Sequence, residues 1–398
     1  MLNRRALIAG GAALGLAAWP GTRAMADAAG LARWLRGFGP RARDAGITPA
    51  TLRALDQVTY LPRVIANDRA QAEVARPLGD YLADAVSQAR ITGGRRGLQR
   101  HAALFDRISR RSGVPAAVLA AIWGVESSYG GFRGSLPVLS VLATLAHEGR
   151  RAALFEAELI AALRIVQDGH AAPAQLLGSF AGAMGHMQFM PSTYLAHRVD
   201  GNGNGRVDIW GDDPSDALAS AAALLRANGW QAGRPWAIEV RLPAGFDLGA
   251  TGRVHVHGAA HWARAGLRAA DGGALPDIGP GAVILPAGPE GPVFLITANF
   301  HVLKTYNFSD AYAIGVGHLS DRIAGGGPIR ADFGATPWGL STRERQDLQR
   351  RLTARGFDAG PPDGVIGEKG RAAIRAWERA QGLRETGVPS RALLDRLR

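Results

Sequence analysis

The chain of 398 residues contains no cysteine and only two lysines, Lys304 and Lys369. Without cysteine there are no disulfide bonds, no thiolate metal ligands and no cysteine nucleophile. Bacterial lipoproteins carry their lipid on a cysteine, and because this chain has none, we expect no lipid anchor. Because lysine is so rare, the formal net charge of +12 comes almost entirely from arginine, and this charge favours an anionic partner.

Several motifs of other protein classes are also missing. No dense basic run with interleaved aromatic residues occurs, so nucleic-acid binding is disfavoured. Neither HExxH nor GxSxG is present, although these absences leave a Ser-His-Asp triad open. His255 and His257 are two residues apart, and we interpret them as part of an exposed strand and not as a metal site. A length of 398 residues exceeds the usual size of a single core, and the apolar fraction of 47% is normal for a globular protein, so we expect two or three packed units.

The longest apolar stretch near the start runs only from Ala6 to Ala18, which is too short for a stable membrane-spanning helix. It follows Arg4 and Arg5 and precedes the small-x-small sequence that ends at Ala26. We interpret residues 1–26 as a cleaved export signal and expect a periplasmic protein. The paired arginines favour twin-arginine export over general secretion only weakly, and a retained signal anchor is the alternative.

The spacing of apolar residues divides the rest of the chain. It is helical from Leu31 to about Leu225, for example over 81–91, 98–109, 116–127 and 150–167. Alternation and turn-forming residues over about 235–298 predict a small β-rich insertion, and helical spacing returns from Asn299 to Ile323. A breaker-rich segment, 325–339, predicts a linker before a last unit over 340–398. The expected fold class is mainly α (α+β), with a first domain over 27–324.

Glu126 is the acidic residue of a helix predicted over 116–127. It follows Leu119 by seven residues and Ile122 by four, so it lies on an apolar face of that helix. Apolar surroundings disfavour the charged form of a carboxyl group, which raises its pKa and suits a general acid at a glycosidic oxygen. Buried glutamates also cap loops or pair with arginine, so the helix alone leaves a structural role open.

Two further clusters offer groups that could bind sugars. The segment 182–194 is rich in glycine and then contains aromatic and amide residues, which allows a ligand to approach the backbone closely. Ser179 and Gln188 add uncharged hydrogen-bonding groups. A third segment, 306–312, contains two tyrosines and an asparagine, a composition typical of saccharide clefts.

Four sequence blocks follow one another over about 290 residues. They are Trp123-Gly124-Val125-Glu126-Ser127, 182–194, 200–210 and Tyr306-Asn307-x-Ser309. In this the chain resembles the type B lytic murein transglycosylases, also called membrane-bound lytic transglycosylase B-like proteins. The resemblance implies a lysozyme-like α-rich catalytic domain, Glu126 as the sole catalytic residue and no required cofactor. It also implies a saccharide cleft lined by Ser179, Gln188, Tyr306, Asn307, Tyr312 and Tyr81.

The resemblance implies a reaction that one carboxyl group can perform, although most glycosidases need two. Glu126 would protonate the oxygen between N-acetylmuramic acid and N-acetylglucosamine, then deprotonate the muramyl 6-hydroxyl, which closes a 1,6-anhydro ring. Leu154 and Leu224 stand where the family has tyrosines, so stacking on sugars is weaker or placed elsewhere. A hydrolytic muramidase and a non-catalytic wall-binding protein are the alternatives, and other cell-wall enzymes are candidate partners beside the glycan strands.

The loop from Asp200 to Gly211 has the spacing of a calcium-binding EF-hand. Asp200, Asn202 and Asn204 stand at positions 1, 3 and 5, but Gly211 occupies position 12, where a bidentate acid belongs. We therefore favour a turn rich in Asn and Gly over a weak calcium site, which would need an acid from a reshaped loop end.

Residues 340–398 resemble the three-helix peptidoglycan-binding domain of many wall enzymes. The resemblance rests on Pro362-Asp363-Gly364-Val365-Ile366-Gly367 and on the helix Arg371-Ala372-Ala373-Ile374-Arg375-Ala376-Trp377. Leu348, Leu352, Ile374 and Trp377 are expected in its core and not at its ligand site. Such a module would raise the local concentration of wall polymer beside a catalytic cleft.

Overall fold

The computed structural model describes residues 27–73, 77–333, 340–364 and 366–398. The predicted export signal, 1–26, and residues 334–339 of the predicted linker lie outside the described residues. The chain forms two compact units. Among the described residues, the first contains 27–72 and 92–227, and the second contains 73, 77–91 and 228–398.

The first unit is helical apart from one pair of two-residue strands. Two 3₁₀ turns, Arg53–Gln57 and Pro173–Gln175, connect its elements. Strands β1 (Leu136–Pro137) and β2 (Leu177–Gly178) pair antiparallel. The helices are α1 (Ala28–Asp44), α2 (Pro49–Leu52), α3 (Pro62–Glu73), α5 (Gln88–Arg100, from residue 92), α6 (Ala102–Ser112), α7 (Ala116–Ser127), α8 (Val138–Glu148), α9 (Ala152–Gln167), α10 (Pro191–His197) and α11 (Ser215–Ala227).

The centre of the first unit is α7. Pro115 precedes its first turn, where a proline costs no hydrogen bond. Every residue from Val118 to Gly124 is buried, so the helix is apolar on all sides. A helix of this kind must be surrounded by other elements, and α7 contacts α6 and α11. It ends at Ser127, and the next residue, Ser128, adopts the left-handed conformation with φ 50°.

The second unit combines a sheet with helices. The sheet has the order β4-β3-β6-β5 with every neighbour antiparallel, and Ala237 of β3 lies opposite Ile296 of β6. A 3₁₀ turn spans Leu248–Ala250. The elements are α4 (Leu78–Ala85), the start of α5, β3 (Ala237–Arg241), α12 (Ala259–Arg264), β4 (Arg268–Ala269), β5 (Ala282–Ile284), β6 (Val293–Ile296), α13 (Ala298–Tyr306), α14 (Asp310–Ile323), α15 (Thr342–Ala354), α16 (Glu368–Ala380) and α17 (Arg391–Arg396).

Two apolar clusters stabilise the second unit. One lies on the sheet and includes Trp262 and Leu295 together with Val388, which comes from the connection between α16 and α17. The other lies among α15, α16 and α17 and is centred on Ile374 and Leu394, both fully buried. These three helices therefore form a core of their own, while one residue beside them joins the core of the sheet.

The mainly α fold class is confirmed, but two predicted helices are each divided. The helix expected over 81–91 is interrupted at Val86, where α4 ends, and α5 begins at Gln88. The helix expected over 98–109 is interrupted at His101, between α5 and α6. Buried apolar residues stand on both sides of Val86, at Leu82 and Ile91, so apolar spacing gives no sign of the break there. No helix within the described ranges is long and apolar enough to cross a membrane.

Candidate active site

Glu126 lies in the last turn of α7, where the buried helix reaches a partly exposed surface. Val125 and Glu126 are half-buried, whereas the residues before them are buried. The chain then turns sharply, because Ser128 and Tyr129 both have positive φ, 50° and 62°. Backbone strain of this kind at a non-glycine residue is common next to functional groups. The carboxyl group of Glu126 is thus presented at the end of a rigid helix.

Tyr129 folds back over this helix. Its ring packs edge-on against Trp123, with the ring centroids 5.6 Å apart. A Cβ atom at Gly124 would lie 2.5 Å from the Tyr129 hydroxyl oxygen, and one at Gly93 would lie 2.5 Å from a ring carbon of Tyr129. Only glycine fits at these two positions, so the two glycines explain how the tyrosine lies so close to the helix.

A buried hydrogen-bond chain fixes the other side of Trp123. Its indole N–H donates to Nδ1 of His186 at 3.1 Å, and Nε2 of His186 lies 2.7 Å from the Gly211 carbonyl oxygen. A carbonyl only accepts, so Nε2 carries the proton and Nδ1 accepts. Burial lowers the pKa of His186, which keeps the ring neutral and preserves this pattern. The helix that bears Glu126 is thereby joined to segment 182–194 and to the end of loop 200–211.

The short strands β1 and β2 make a second connection between the Glu126 region and the Ser179 region. Leu136 pairs with Gly178 and Pro137 with Leu177. At the start of β1 the backbones are so close that a Cβ atom at Gly134 would lie 2.1 Å from the carbonyl carbon of Gly178. The side chain of Gln188 also donates to the Arg133 carbonyl at 3.0 Å. The structure therefore brings Glu126, Ser179 and Gln188 into one connected framework.

The polar groups of Ser179 and Gln188 are partly committed within this framework. The Ser179 hydroxyl oxygen accepts the N–H of Ala183 at 3.2 Å, and among the described residues this hydroxyl donates to no acceptor. Gln188 has φ 50° and is 8% exposed. Its amide nitrogen donates to the carbonyls of Arg133 and Gly185, both at 3.0 Å. These two acceptors fix the amide orientation and leave the side-chain oxygen of Gln188 to accept a hydrogen bond.

The remaining predicted cleft residues lie in the second unit. Tyr306 and Tyr312 are 1% and 2% exposed, with ring centroids 6.5 Å apart and nearly parallel. Asn307 is buried, and its side-chain oxygen accepts the N–H of Ser309 at 3.2 Å. Tyr81 of α4 lies against α14, because a Cβ atom at Gly315 would be 2.8 Å from its ring. Tyr306 and Tyr312 thus form an aromatic pair, and the role of all four residues in binding sugar stays a prediction.

The structure folds loop 200–213 by hydrogen bonds from its own backbone. The Asp200 carboxylate accepts N–H groups of Gly203 at 2.6 Å and Gly205 at 2.8 Å, which lower its pKa. Asn202 donates to the Asp213 carboxylate at 3.1 Å, so an acid two residues after Gly211 faces the loop. Asn204 accepts the N–H of Arg206 at 2.8 Å. Within the described ranges, no group of three or more His, Cys, Asp or Glu side chains could hold a metal ion.

Three residues that hold the site in place were not predicted from the sequence. His186 was assigned only to a glycine-rich segment, and Tyr129 and Arg133 stood in no predicted site. Arg133 donates to the Gly211 carbonyl oxygen and forms an ion pair with Asp212 at 2.9 Å. The one usable signal was the glycine at 124 in an otherwise apolar helix, since such a glycine often marks a close contact.

Two segments of the chain match known protein families. Residues 30–321 match the transglycosylase SLT domain, and residues 341–397 match a putative peptidoglycan binding domain. The chain is 34% identical over 225 residues to the membrane-bound lytic murein transglycosylase B of Escherichia coli strain K12. That alignment covers 53% of this chain and 58% of the relative, which is less than two thirds of the relative's length.

Solved structures extend the similarity. SltB3 of Pseudomonas aeruginosa, in complex with NAG-anhNAM-pentapeptide, is 43% identical, with a TM-score of 0.88 over 92% of this chain and 99% of that chain. The Escherichia coli lytic transglycosylase Slt35, in complex with calcium, is 28% identical, with a TM-score of 0.62 over 75% of this chain and 93% of that chain. The resemblance read from the sequence is thus confirmed. The chain belongs to the transglycosylase SLT-domain family and carries a C-terminal segment similar to a peptidoglycan-binding domain.

Proposed function

We propose that the protein is a lytic transglycosylase that cleaves the bond between N-acetylmuramic acid and N-acetylglucosamine in peptidoglycan. The observation that carries this proposal is the placement of Glu126. It lies at the partly exposed end of a buried helix, on a framework that also holds the free hydroxyl proton of Ser179 and the free amide oxygen of Gln188. Family membership and the wall-polymer fragments bound by SltB3 support the choice of substrate.

In the proposed reaction, Glu126 acts first as acid and then as base. Its proton passes to the glycosidic oxygen as the bond from that oxygen to C1 of N-acetylmuramic acid breaks. The resulting carboxylate takes the proton of the muramyl 6-hydroxyl, whose oxygen forms the new bond to C1. The 1,6-anhydro ring closes, Glu126 is again protonated, and neither water nor a cofactor is consumed. A rigid carboxyl group suits this double role because both proton transfers need it within hydrogen-bond reach.

Digestion of purified sacculi by wild type and by Glu126→Gln tests this proposal. We expect muropeptides with 1,6-anhydro ends from wild type, and a release rate at least 10²-fold lower from the variant, as for loss of a general acid–base group. Reducing muramic ends would instead identify a hydrolytic muramidase. A folded Glu126→Gln protein that releases muropeptides at the wild-type rate would contradict the catalytic role and favour the alternative of a wall-binding protein.

We further propose that the protein acts in the periplasm, after removal of residues 1–26. The short apolar stretch after Arg4 and Arg5 supports this, together with a substrate that lies outside the cytoplasm. Cell fractionation with N-terminal sequencing of the mature protein tests it. A mature chain that begins at residue 27 is expected, and an intact N-terminus in the cytoplasmic fraction would contradict it.

A weak calcium site in loop 200–213 is a subordinate proposal. Asp200, Asn202 and Asn204 point oxygen-bearing side chains into one turn, and Asp213 faces Asn202, so an acid is present where Gly211 offers none. The calcium in the Slt35 structure supports the idea. The two neutral asparagines favour low affinity. Calcium would stabilise the loop and take no part in the proposed proton transfers.

A further inference from the structure

A cavity of about 390 Å³ lies in the first unit, outside the framework around Glu126. It is bounded by α6, by α11 and by the start of loop 200–213. Three arginines line it, Arg107, Arg111 and Arg226, together with four alanines and the apolar side chains of Ile108 and Val199. Its volume is at the lower end of the roughly 300–1,000 Å³ that small-ligand sites occupy.

The charge of this cavity is not neutralised by the protein. Arg107 donates to the Gly201 carbonyl oxygen at 2.9 Å. Arg111 and Arg226 are exposed, and neither has a hydrogen bond or ion pair from its side chain to any residue in the described part of the chain. The carboxylate that lines the cavity, Asp200, is already bonded to N–H groups of its own loop. The three arginines that line the cavity therefore carry three positive charges, and the one carboxylate beside them, that of Asp200, is bonded within its own loop and does not pair with them.

The shape and chemistry of the lining restrict the occupant. Guanidinium groups match carboxylates by paired hydrogen bonds, so an anion with more than one carboxylate is expected. The apolar surface consists of methyl groups of α11 alanines and two branched side chains, and it offers no long groove. Small apolar groups fit this surface, whereas the acyl chains of a lipid would find little to cover them.

A peptide that alternates alanine methyl groups with carboxylates combines both features. The peptide stem of peptidoglycan has this composition, with alanine residues, the free α-carboxylate of a γ-linked glutamate and a C-terminal carboxylate. We propose that the cavity between α6 and α11 binds a peptide stem of peptidoglycan, separately from the glycan bound near Glu126. This inference rests on the proposed function for the choice of polymer, and it assigns Arg111 and Arg226 as the residues that recognise the stem.

Calorimetric titration of the free stem pentapeptide into the full chain tests the inference. We expect binding by wild type, at least tenfold weaker binding by Arg111→Ala/Arg226→Ala, and less than twofold change in Arg33→Ala/Arg36→Ala. The control removes the same charge from exposed positions on α1. A second variant, Ala223→Leu, fills the cavity without changing charge, and it should weaken binding as well. Equal loss in both arginine pairs would overturn the proposal, because general electrostatic attraction would then suffice.

Two further arms exclude other occupants and separate this inference from the proposed function. Binding of phosphatidylglycerol vesicles that depends on Arg111 and Arg226, with no such dependence for the peptide, would overturn the proposal in favour of a lipid surface. The arginine double variant should still form 1,6-anhydro ends on glycan chains stripped of peptide, and loss of that activity would place the arginines in the catalytic machinery and overturn the assignment. If wild type forms no 1,6-anhydro ends while the pentapeptide still binds through Arg111 and Arg226, only the proposed function fails.

Discussion

Replacing Gly134 with alanine tests whether the strand pair β1–β2 holds the site together. Gly134 has φ 92°, and the added Cβ would lie 2.1 Å from the carbonyl carbon of Gly178 and 2.4 Å from its oxygen. The positive φ costs an alanine about 1–2 kcal/mol. The clash adds about 1–3 kcal/mol, because the neighbour is backbone and cannot rotate away.

Gly169 provides a matched control for this experiment. It has φ 72°, and nothing lies within 4 Å of its hypothetical Cβ atom, so Gly169→Ala carries the φ cost without the clash. We expect Gly134→Ala to melt roughly 2–12 °C below Gly169→Ala, since the clash of about 1–3 kcal/mol distinguishes the two variants and 1 kcal/mol shifts the melting temperature of a unit of this size by about 2–4 °C. Differential scanning calorimetry of both variants measures this difference.

The same substitution should reduce activity more than stability explains. Moving β2 shifts Ser179 relative to Glu126, and misplacement of a binding group by about 1 Å costs on the order of 10²-fold in rate. Muropeptide release at a temperature where both variants are folded measures this loss. If Gly134→Ala melts with Gly169→Ala and digests sacculi at the same rate, then the strand pair does not position the site.

Three other predictions concern groups around the fold. His318 is 8% exposed, and burial lowers its pKa to about 4, from 6.5, so its imidazole binds more protons in the unfolded chain between these values. The contribution of His318 to the free energy of unfolding should therefore fall by about 2 kcal/mol from pH 7.5 to pH 5, and urea titrations of wild type and His318→Gln measure it as the difference between their pH dependences. Replacing His186 with leucine leaves the Trp123 indole N–H without its acceptor, whereas the Gly211 carbonyl keeps Arg133 as a donor, so we expect a loss of about 1–3 kcal/mol by denaturant unfolding, part of which Trp123→Phe should restore. Addition of ~10 mM calcium should stabilise the protein by ~1.4 kcal/mol if the dissociation constant is ~1 mM; an equal effect of magnesium, or of calcium on Asp200→Ala, would contradict a specific site.

Local sequence patterns predicted much of the helical structure. The bounds of α7 match the expected helix over 116–127, because this helix is apolar on all sides and begins at a proline. Strands β3 to β6 all lie within the β-rich insertion predicted over about 235–298, since alternating and turn-forming residues mark that segment. The helix breaks at Val86 and His101 were not predicted, because neither position carries a glycine or proline and tertiary packing decides where the chain turns.

The site was only partly predictable, because tertiary contacts between distant parts of the chain hold it together. Glu126, Ser179 and Gln188 stand in recognisable blocks, and the structure joins those blocks. The contacts that join them are a tryptophan to a histidine 63 residues later and two glycines 44 residues apart. Contacts of such sequence separation leave no periodic signal. The burial of the tyrosine side chains could not be predicted from the sequence either. Tyr306 and Tyr312 were expected to line a cleft, and each is almost fully buried.

The placement of Val388 affects how the C-terminal helices should behave as an isolated fragment. This residue belongs to the apolar cluster of the sheet, and the turn before it is held by the buried carboxylate of Glu378, which accepts N–H groups of Thr386 and Gly387. Expression of 340–398 alone would uncover Val388 and the apolar surface it covers. Amide exchange near Val388 in the whole protein should therefore follow the opening of the sheet. The C-terminal helices would then be anchored to the rest of the second unit at this turn as well as through the chain between residues 325 and 339.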